Sequence, residues 1–324
     1  MKKIIIILCL ISCCSFQITN AQSGFTDPHT TNYNSSVTTN NSTSSATTLA
    51  TFLKTNTPTV RENSGIEYIN GSIYTFGDSG NPASIFKIDT VTGNIMQTIH
   101  VSNYGNTDWE DITADADYLY IGDFGNNDGD RTDLKILKIA KAQFVNKTDS
   151  LINVTAEAIS FSYADQTSFE GNSNTDFDCE AIISFRDSLY LFTKDRGDLK
   201  TRVYSLPKIS GTYRVSSYTN FNVNGKITGV DYNPLTNNVV LIGYMGGSKN
   251  SFIWLLSDFK GVNFFSGNTR RLELGNISKP WQTEGVAFCK ENGSQRIFIS
   301  CETKSDILAG IYVANLDLYK SSKK

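Results

Sequence analysis

Histidine is nearly missing from this chain, with only His29 and His100 among 324 residues. Chemistry built on imidazole therefore has little to work with. A Ser-His-Asp arrangement would need His100, which follows the strands of the first repeat described below, or His29 in a polar tail. Positive charge is not in excess either. The 29 Lys and Arg face 32 Asp and Glu, a net charge of −3. Without a clustered positive field, nucleic acid and anionic membrane surfaces are poor partners. No apolar run reaches the roughly 20 residues of a bilayer-spanning helix. The G-x-x-x-x-G-K-[ST] phosphate loop, the G-x-S-x-G elbow and the H-E-x-x-H helix are absent, as is any C-x-x-C pair. What is present is 39% hydrophobic and 11% aromatic residues, enough to build a packed core.

The first 21 residues read as an export signal. Lys2 and Lys3 precede the apolar Ile4 to Ile11, and Thr19-Asn20-Ala21 offers small residues for cleavage. Leu10-Ile11-Ser12-Cys13 is also similar to a lipobox, so a lipid anchor at Cys13 is the alternative to soluble export. Either route leads to a secreted or periplasmic location. Cleavage after Ala21 removes two lysines and three cysteines, leaving a charge of −5 and Cys179, Cys289 and Cys301. Three cysteines allow at most one internal disulfide, with Cys289 and Cys301 the favoured pair. The other reading makes all three small buried hydrophobes, and Cys179 is best read that way. Residues 22–48 are dominated by Asn, Thr and Ser without an apolar face, as in a disordered tail. Residues 49–320 form the expected single domain.

Aligning that domain with itself gives the fold. Five segments share one plan, starting at Ser64, Glu110, Glu180, Thr228 and Glu284. Each first run, such as Glu180-Ala181-Ile182-Ile183-Ser184, is followed by a short turn and a second β-rich run, such as Leu189-Tyr190-Leu191-Phe192. A third run follows, such as Val203-Tyr204-Ser205-Leu206. Fourth strands are predicted at Asn94 to Val101, Ala158 to Tyr163, Tyr213 to Phe221 and Arg270 to Leu274. Short β-branched and aromatic runs bounded by Gly, Asn or Asp, repeating every 46 to 70 residues, predict an all-β propeller. Five blades are countable, with a sixth left open. The last repeat ends after its third strand, so an N-terminal strand before Ser64 is expected to close the ring. A β-sandwich with regular strands would not repeat an acid at one position.

The repeat carries that acid. Glu110, Glu180 and Glu284 open the first strands, which line the channel of a propeller, while Ser64 and Thr228 hold the position in the other two repeats. A second set, Asp78, Asp123, Asp195 and Glu302, stands where second strands end, with Tyr244 as the exception. Converging carboxylates repel unless a positive charge sits among them. Oxygen donors without histidine suit a hard cation, Ca²⁺ ahead of Mg²⁺. Glu110, Glu180, Glu284, Asp78, Asp123 and Glu302 are thus candidate metal ligands, unless they serve as strand caps that bind backbone amides. Trp109 and Trp281 precede channel glutamates and could stack a planar ligand, or pack between blades. Lys194, Arg196 and Arg131 could grip an anion or pair with the acids. The loop Asp123 to Arg131 is oxygen-rich but lacks calcium-loop spacing, and reads better as a turn.

Asp178-Cys179-Glu180-Ala181-Ile182 and Thr283-Glu284-Gly285-Val286-Ala287 resemble the blade openings of a group of extracytoplasmic propellers. That group includes the SdiA-regulated family and the esterase-like phytase domain. The resemblance spans about residues 60–318 and implies a calcium site in the channel; Ser64 and Thr228 depart from its acid position. The leader and the Asn/Thr-rich start resemble secreted proteins of Bacteroidetes-type bacteria. The expected function is an exported, monomeric propeller binding a small molecule or protein at one channel mouth, with Ca²⁺. The alternative is a metal-dependent phosphoesterase, lactonase or esterase in which Glu110, Glu180 or Glu284 is the general base.

Overall fold

The computed structural model describes residues 42–49, 51–55, 60, 62–245, 251–275, 282–291, 294, 296–302 and 309–316. The expected leader, Cys13, His29 and Trp281 lie outside the described residues. Strands β1 (Ser42–Leu49) and β2 (Thr51–Thr55) come first; all of β1 but Leu49 falls in the stretch read as a tail. The first blade is built from β3 (Asn63–Ile69), β4 (Ser72–Gly77), β5 (Ser84–Asp89) and β6 (Ile95–Val101). The second has β7 (Trp109–Ala114), β8 (Tyr118–Asp123) and β9 (Lys135–Ala140). A 3-10 turn at Lys141–Gln143 and β10 (Leu151–Val154) precede its fourth strand, β11 (Glu157–Tyr163). The third contains β12 (Cys179–Phe185), β13 (Ser188–Thr193), β14 (Thr201–Pro207), β15 (Gly211–Val215) and β16 (Thr219–Phe221). The fourth is β17 (Lys226–Asn233), β18 (Asn238–Tyr244), β19 (Ser251–Ser257) and β20 (Asn268–Gly275). The fifth is β21 (Thr283–Phe288), β22 (Arg296–Cys301) and β23 (Gly310–Asn315).

The inner strands β3, β7, β12, β17 and β21 contact one another in that cyclic order, and β21 returns to β3. The chain is therefore an all-β, five-bladed propeller. As expected, an N-terminal strand closes the ring: β2 pairs antiparallel with β23 as the fifth blade's outer strand. Three blades carry a further edge strand. β10 adds in parallel to β6 of the first blade, β15 to β11 of the second and β1 to β20 of the fourth. In the second and third blades the link from third to fourth strand detours to the preceding blade. β1 and β2 repeat this path across the break in the ring, which makes the N-terminal segment the missing part of the fifth repeat. The predicted fourth strand Tyr213 to Phe221 accordingly divides. Its first three residues lie in β15, on the second blade, and its last three are β16, paired with β14.

Packing explains why the strand sequences are apolar at consecutive positions rather than alternating. Each sheet is covered on both faces by its neighbours. Val239 and Leu241 pack toward the third blade, while Val240 and Ile242 pack toward the fifth. Five hydrophobic clusters result, one in each blade interface. Among the described residues no helix is long and apolar enough to cross a membrane. The cysteine pair favoured from sequence is not formed: Cys179, Cys289 and Cys301 are buried and none of them is joined in a disulfide. Cys301 pairs with Thr283 at one end of the β21–β22 hairpin, and Cys289 follows Phe288 at the other. Five residues of strand separate them by about 16 Å, far beyond disulfide reach.

Every inner strand bears a β-bulge at the same repeat position. The register slips between Asn63 and Ile66, Trp109 and Asp111, Cys179 and Ala181, Ile227 and Gly229, and Thr283 and Val286. A bulge leaves one residue unpaired and re-aims its side chain. The residues so placed include Ser64, Glu110, Glu180, Thr228 and Glu284. Backbones also approach closely here. A Cβ on Gly229 would lie 2.6 Å from the Glu284 carbonyl oxygen, and one on Gly65 would lie 2.6 Å from Asp111 Cα. Gly229→Ala is expected to destabilise the fold by about 1–3 kcal/mol through overpacking. An unchanged urea midpoint for that variant would show that the strands can move apart.

Candidate functional site

Three carboxylates meet at the start of the first two inner strands. Asp78 follows β4, and Asp108 and Glu110 flank Trp109 where β7 begins. One oxygen from each lies within 4.8 Å of the others. Glu110 is 5% exposed, and its carboxylate has no hydrogen-bond donor or ion-pair partner among the described residues. Asp108 likewise receives no side-chain hydrogen bond there, whereas Asp78 accepts one from the Ser79 amide. Gly125 forms the wall behind them. A Cβ on it would stand 2.2 Å from Glu110 Oε1 and 2.4 Å from Asp108 Oδ2.

The electrostatics follow from burial and crowding. Burial, then Glu180, Asp78 and Asp108, push the Glu110 carboxyl well above its usual range. Burial raises Asp108 as well, against the pull of Arg131. Asp78 is pushed up to about 7 by burial, with Asp108 and Glu302 adding repulsion against the Ser79 hydrogen bond. All three donors are oxygens, so the group can hold a hard cation.

The other predicted ligands do not join this trio. Glu180 Oε1 accepts from the buried Lys194 Nζ at 2.7 Å, with Arg196 at 3.8 Å. Burial would lower the Lys194 ammonium, but Glu180, Tyr244 and Glu284 hold it above its ordinary value. Arg196 is held at 2.8 Å by the buried Asp178. Lys194 and Arg196 therefore serve first as partners of channel-mouth acids. Glu284 is buried in the channel and feels Lys194 and Glu180. Glu302 accepts from Gln282 Nε2.

Asp123 and Asp195 are displaced by one residue of register. Gly77, Asp123, Thr193, Gly243 and Cys301 occupy equivalent ladder positions opposite the bulges. The residues that follow most of these are Asp78, Lys194, Tyr244 and Glu302. Asp123 comes one residue early and Asp195 one late, and strand alternation turns such residues to another face. Asp123 instead pairs with Arg131 at 3.0 Å and Lys135 at 3.2 Å. Asp195 meets Arg202, which also reaches Asp176 at 3.4 Å and Asp198 at 3.2 Å. That second acidic group already contains its cation.

Trp109 is fully buried. Its ring meets Phe76 edge-on at 5.4 Å, and Nε1 donates to the Gly105 carbonyl at 3.2 Å. It packs between blades and presents no face to a ligand. The Asp123 to Arg131 loop is a turn: the Asn126 amide donates to Asp178 and Gly129 N–H to the Asn126 carbonyl. His100 is on β6, an outer strand, with its Nδ1 3.3 Å from Ser84 Oγ.

Sequence reading missed Asp108. The available signal was the Asp-x-Glu shared by Asp108-Trp109-Glu110 and Asp178-Cys179-Glu180. It also missed a second acidic layer on the inner strands. Glu67 accepts from the Ala114 amide, Asp111 from Ile182 and Asp231 from Phe288, at 3.1, 2.9 and 2.7 Å. Ser64 and Thr228 make comparable links, donating to the carbonyls of Glu110 and Thr283. These side chains stitch one blade to the next.

The raised carboxyls make stability depend on pH. Burial first, then neighbouring acids, lifts Asp78, Asp195 and Asp231 to about 7, with Thr193 and Lys290 opposing in the latter two. The unfolded value is near 3.9. The folded chain thus binds more protons between these values, and its stability falls as pH rises through them. Carboxyls held low, such as Asp115 and Asp133, are ionised throughout this window. Metal-free protein is expected to melt several degrees higher at pH 5 than at pH 8. A flat or rising profile would contradict these environments.

No family model and no curated protein matches the chain. Solved propeller structures do resemble it. A PQQ-bound aldose sugar dehydrogenase from Streptomyces coelicolor aligns at 11% identity with a TM-score of 0.49, over 85% of this chain and 99% of that one. Glutaminyl cyclase from Myxococcus xanthus aligns at 11% identity and a TM-score of 0.47, over 84% and 99%. A 6-phosphogluconolactonase-like protein from Bacteroides uniformis aligns at 11% and 0.36, over 75% and 64%. The five-bladed ring rests on the chain's own strand pairing, and its chemistry on the residues at the channel.

Proposed function

We propose that this chain is an exported propeller that binds a divalent cation, calcium ahead of magnesium, at Asp78, Asp108 and Glu110. A ligand or partner then docks at the same channel mouth. The observation that supports this is the Glu110 carboxylate, buried without a donor among the described residues and within 4.8 Å of two other carboxylates. Such a group either holds protons or waits for a positive charge. When bound, the cation supplies that charge and a Lewis acid facing the channel mouth. The chain's own residues shape the place: Gly125 keeps the wall close, and Lys194 and Arg196 restrain Glu180 and Asp178 beside it. Kinship with the SdiA-regulated and esterase-like phytase propellers belongs to this proposal, as does export through the leader.

A second reading, a metal-dependent hydrolase of phosphoesters, lactones or esters, draws support from Glu284. This buried channel carboxylate stands outside the trio and would be the general base; Glu180 is committed to Lys194. Both readings are tested by melting the EDTA-stripped protein with and without added Ca²⁺ or Mg²⁺. Calcium is expected to raise the melting temperature more than magnesium, by mass action. No response to either ion would remove the cation site. Calcium-dependent hydrolysis of a model ester, lost in Glu284→Gln, would select the enzyme.

A further inference from the structure

At the opposite ends of the inner strands, residues from all five blades enclose a cavity of about 390 Å³. The strand ends at Ile69, Ala114 and Ser184, together with Tyr232 and Lys290, form its rim. It belongs to the second mouth of the channel, about 13 Å along the strands from the bulges.

Its acids are already satisfied. Asp115 accepts from the amides of Asp117 and Tyr118, from the Tyr120 hydroxyl and from Lys208 Nζ. Glu67 and Asp231 share Lys290 Nζ, at 2.7 and 3.0 Å, and each also accepts two backbone amides. The cations are not. Lys141 Nζ donates to the Asp115 carbonyl at 2.7 Å and touches no carboxylate among the described residues. The Arg186 guanidinium makes no hydrogen bond or ion pair among the described residues, and lies 5.1 Å from the Phe185 ring. Lys208 spends two donors, on Asp115 and the Arg186 carbonyl. Guanidinium and ammonium groups offer five and three donors, so among the described residues the cavity has spare donors and no spare acid.

Arg186 also has an unusual backbone. It occupies the β12–β13 turn at φ +52°, where the matching turn of the first blade has Asn70-Gly71. Asn and Gly adopt that conformation readily, and Arg does so at a cost. Burial holds the Lys141 ammonium below its ordinary value, against the pull of Glu67 and Asp115. An anion arriving beside it would relieve that.

We infer that this second mouth is a binding site for a small oxyanion-bearing molecule, carboxylate or phosphate, held by Arg186 and Lys141 with Lys208 beside them. The site is independent of the cation trio. Its test uses metal-free Glu110→Gln protein, in which the first site is disabled, titrated with succinate or inorganic phosphate at constant ionic strength. A saturable rise in melting temperature is expected with at least one probe. Arg186→Gln and Lys141→Gln should each weaken that binding at least tenfold. Arg186 is exposed and its replacement should leave the fold intact, which the melting curve without probe checks. A response that fails to saturate, is absent for both probes, or survives in the double variant would overturn the site. Loss of calcium binding in Glu110→Gln leaves this result unaffected, so the two sites fail separately.

Discussion

Replacing Glu110 with Gln is expected to change stability in opposite directions according to whether calcium is present. Without the ion, the wild-type chain holds a buried carboxylate that has no donor among the described residues and faces two others. A Gln amide keeps the shape and can donate to Asp78 or Asp108. Removing an unsatisfied buried polar group is worth about 1–3 kcal/mol, more when it is charged. Metal-free Glu110→Gln should therefore melt higher than wild type at pH 8. At pH 5 the gain should shrink, because burial and the neighbouring acids favour the protonated carboxyl as pH falls. With calcium at a hundred times its dissociation constant, the wild type gains about 2.7 kcal/mol and the variant little. A single substitution that reverses its effect with calcium is hard to explain by packing. If Glu110→Gln were destabilising to the same extent in both conditions, Glu110 would be a structural residue.

The second large effect concerns Lys194. Its ammonium and the Glu180 carboxylate are buried together at 2.7 Å, with side-chain exposures of 6% and 3%. Removing one member of such a pair strands the other, at a cost of about 3–5 kcal/mol. Lys194→Met should thus be among the most destabilising single changes at the channel. Adding Glu180→Gln should recover most of the loss, since the pair as a whole contributes far less than its breakage removes. The expected outcome is a strongly non-additive double-mutant cycle in urea unfolding. Additive losses would mean that Lys194 supports the fold through its stem and the Tyr244 ring below it, 5.5 Å away.

The sequence revealed the parts of this molecule that repeat. The inner strands recur because each must carry apolar residues on both faces and a bulge at one position, which is why Glu110, Glu180 and Glu284 aligned without a structure. The closing strand could be anticipated because the last repeat lacked one. The second strands were harder. Asp123 and Asp195 lie one residue to either side of the channel position, and a one-residue error exchanges the channel for an ion pair with Arg131 or Arg202. Asp108 was hidden because only two repeats share its Asp-x-Glu. The cavity at the second mouth had no repeat to show it: Lys141 comes from a 3-10 turn, Arg186 from a hairpin turn and Lys290 from a loop. The cysteine pair failed for a geometric reason, since sequence spacing does not reveal which ends of a hairpin two residues occupy.

The central claim is that Asp78, Asp108 and Glu110 together hold one cation. The most direct measurement is a calorimetric titration of calcium into EDTA-stripped wild type and Asp108→Asn, in buffers of different ionisation enthalpy. Asp108 is the choice because it is half-buried and makes no side-chain hydrogen bond among the described residues, so its replacement should spare the fold. One calcium per chain is expected, with protons released on binding because the raised carboxyls must ionise, and binding lost or weakened at least a hundredfold in Asp108→Asn. No binding heat in wild type, or the same isotherm in both proteins, would contradict it.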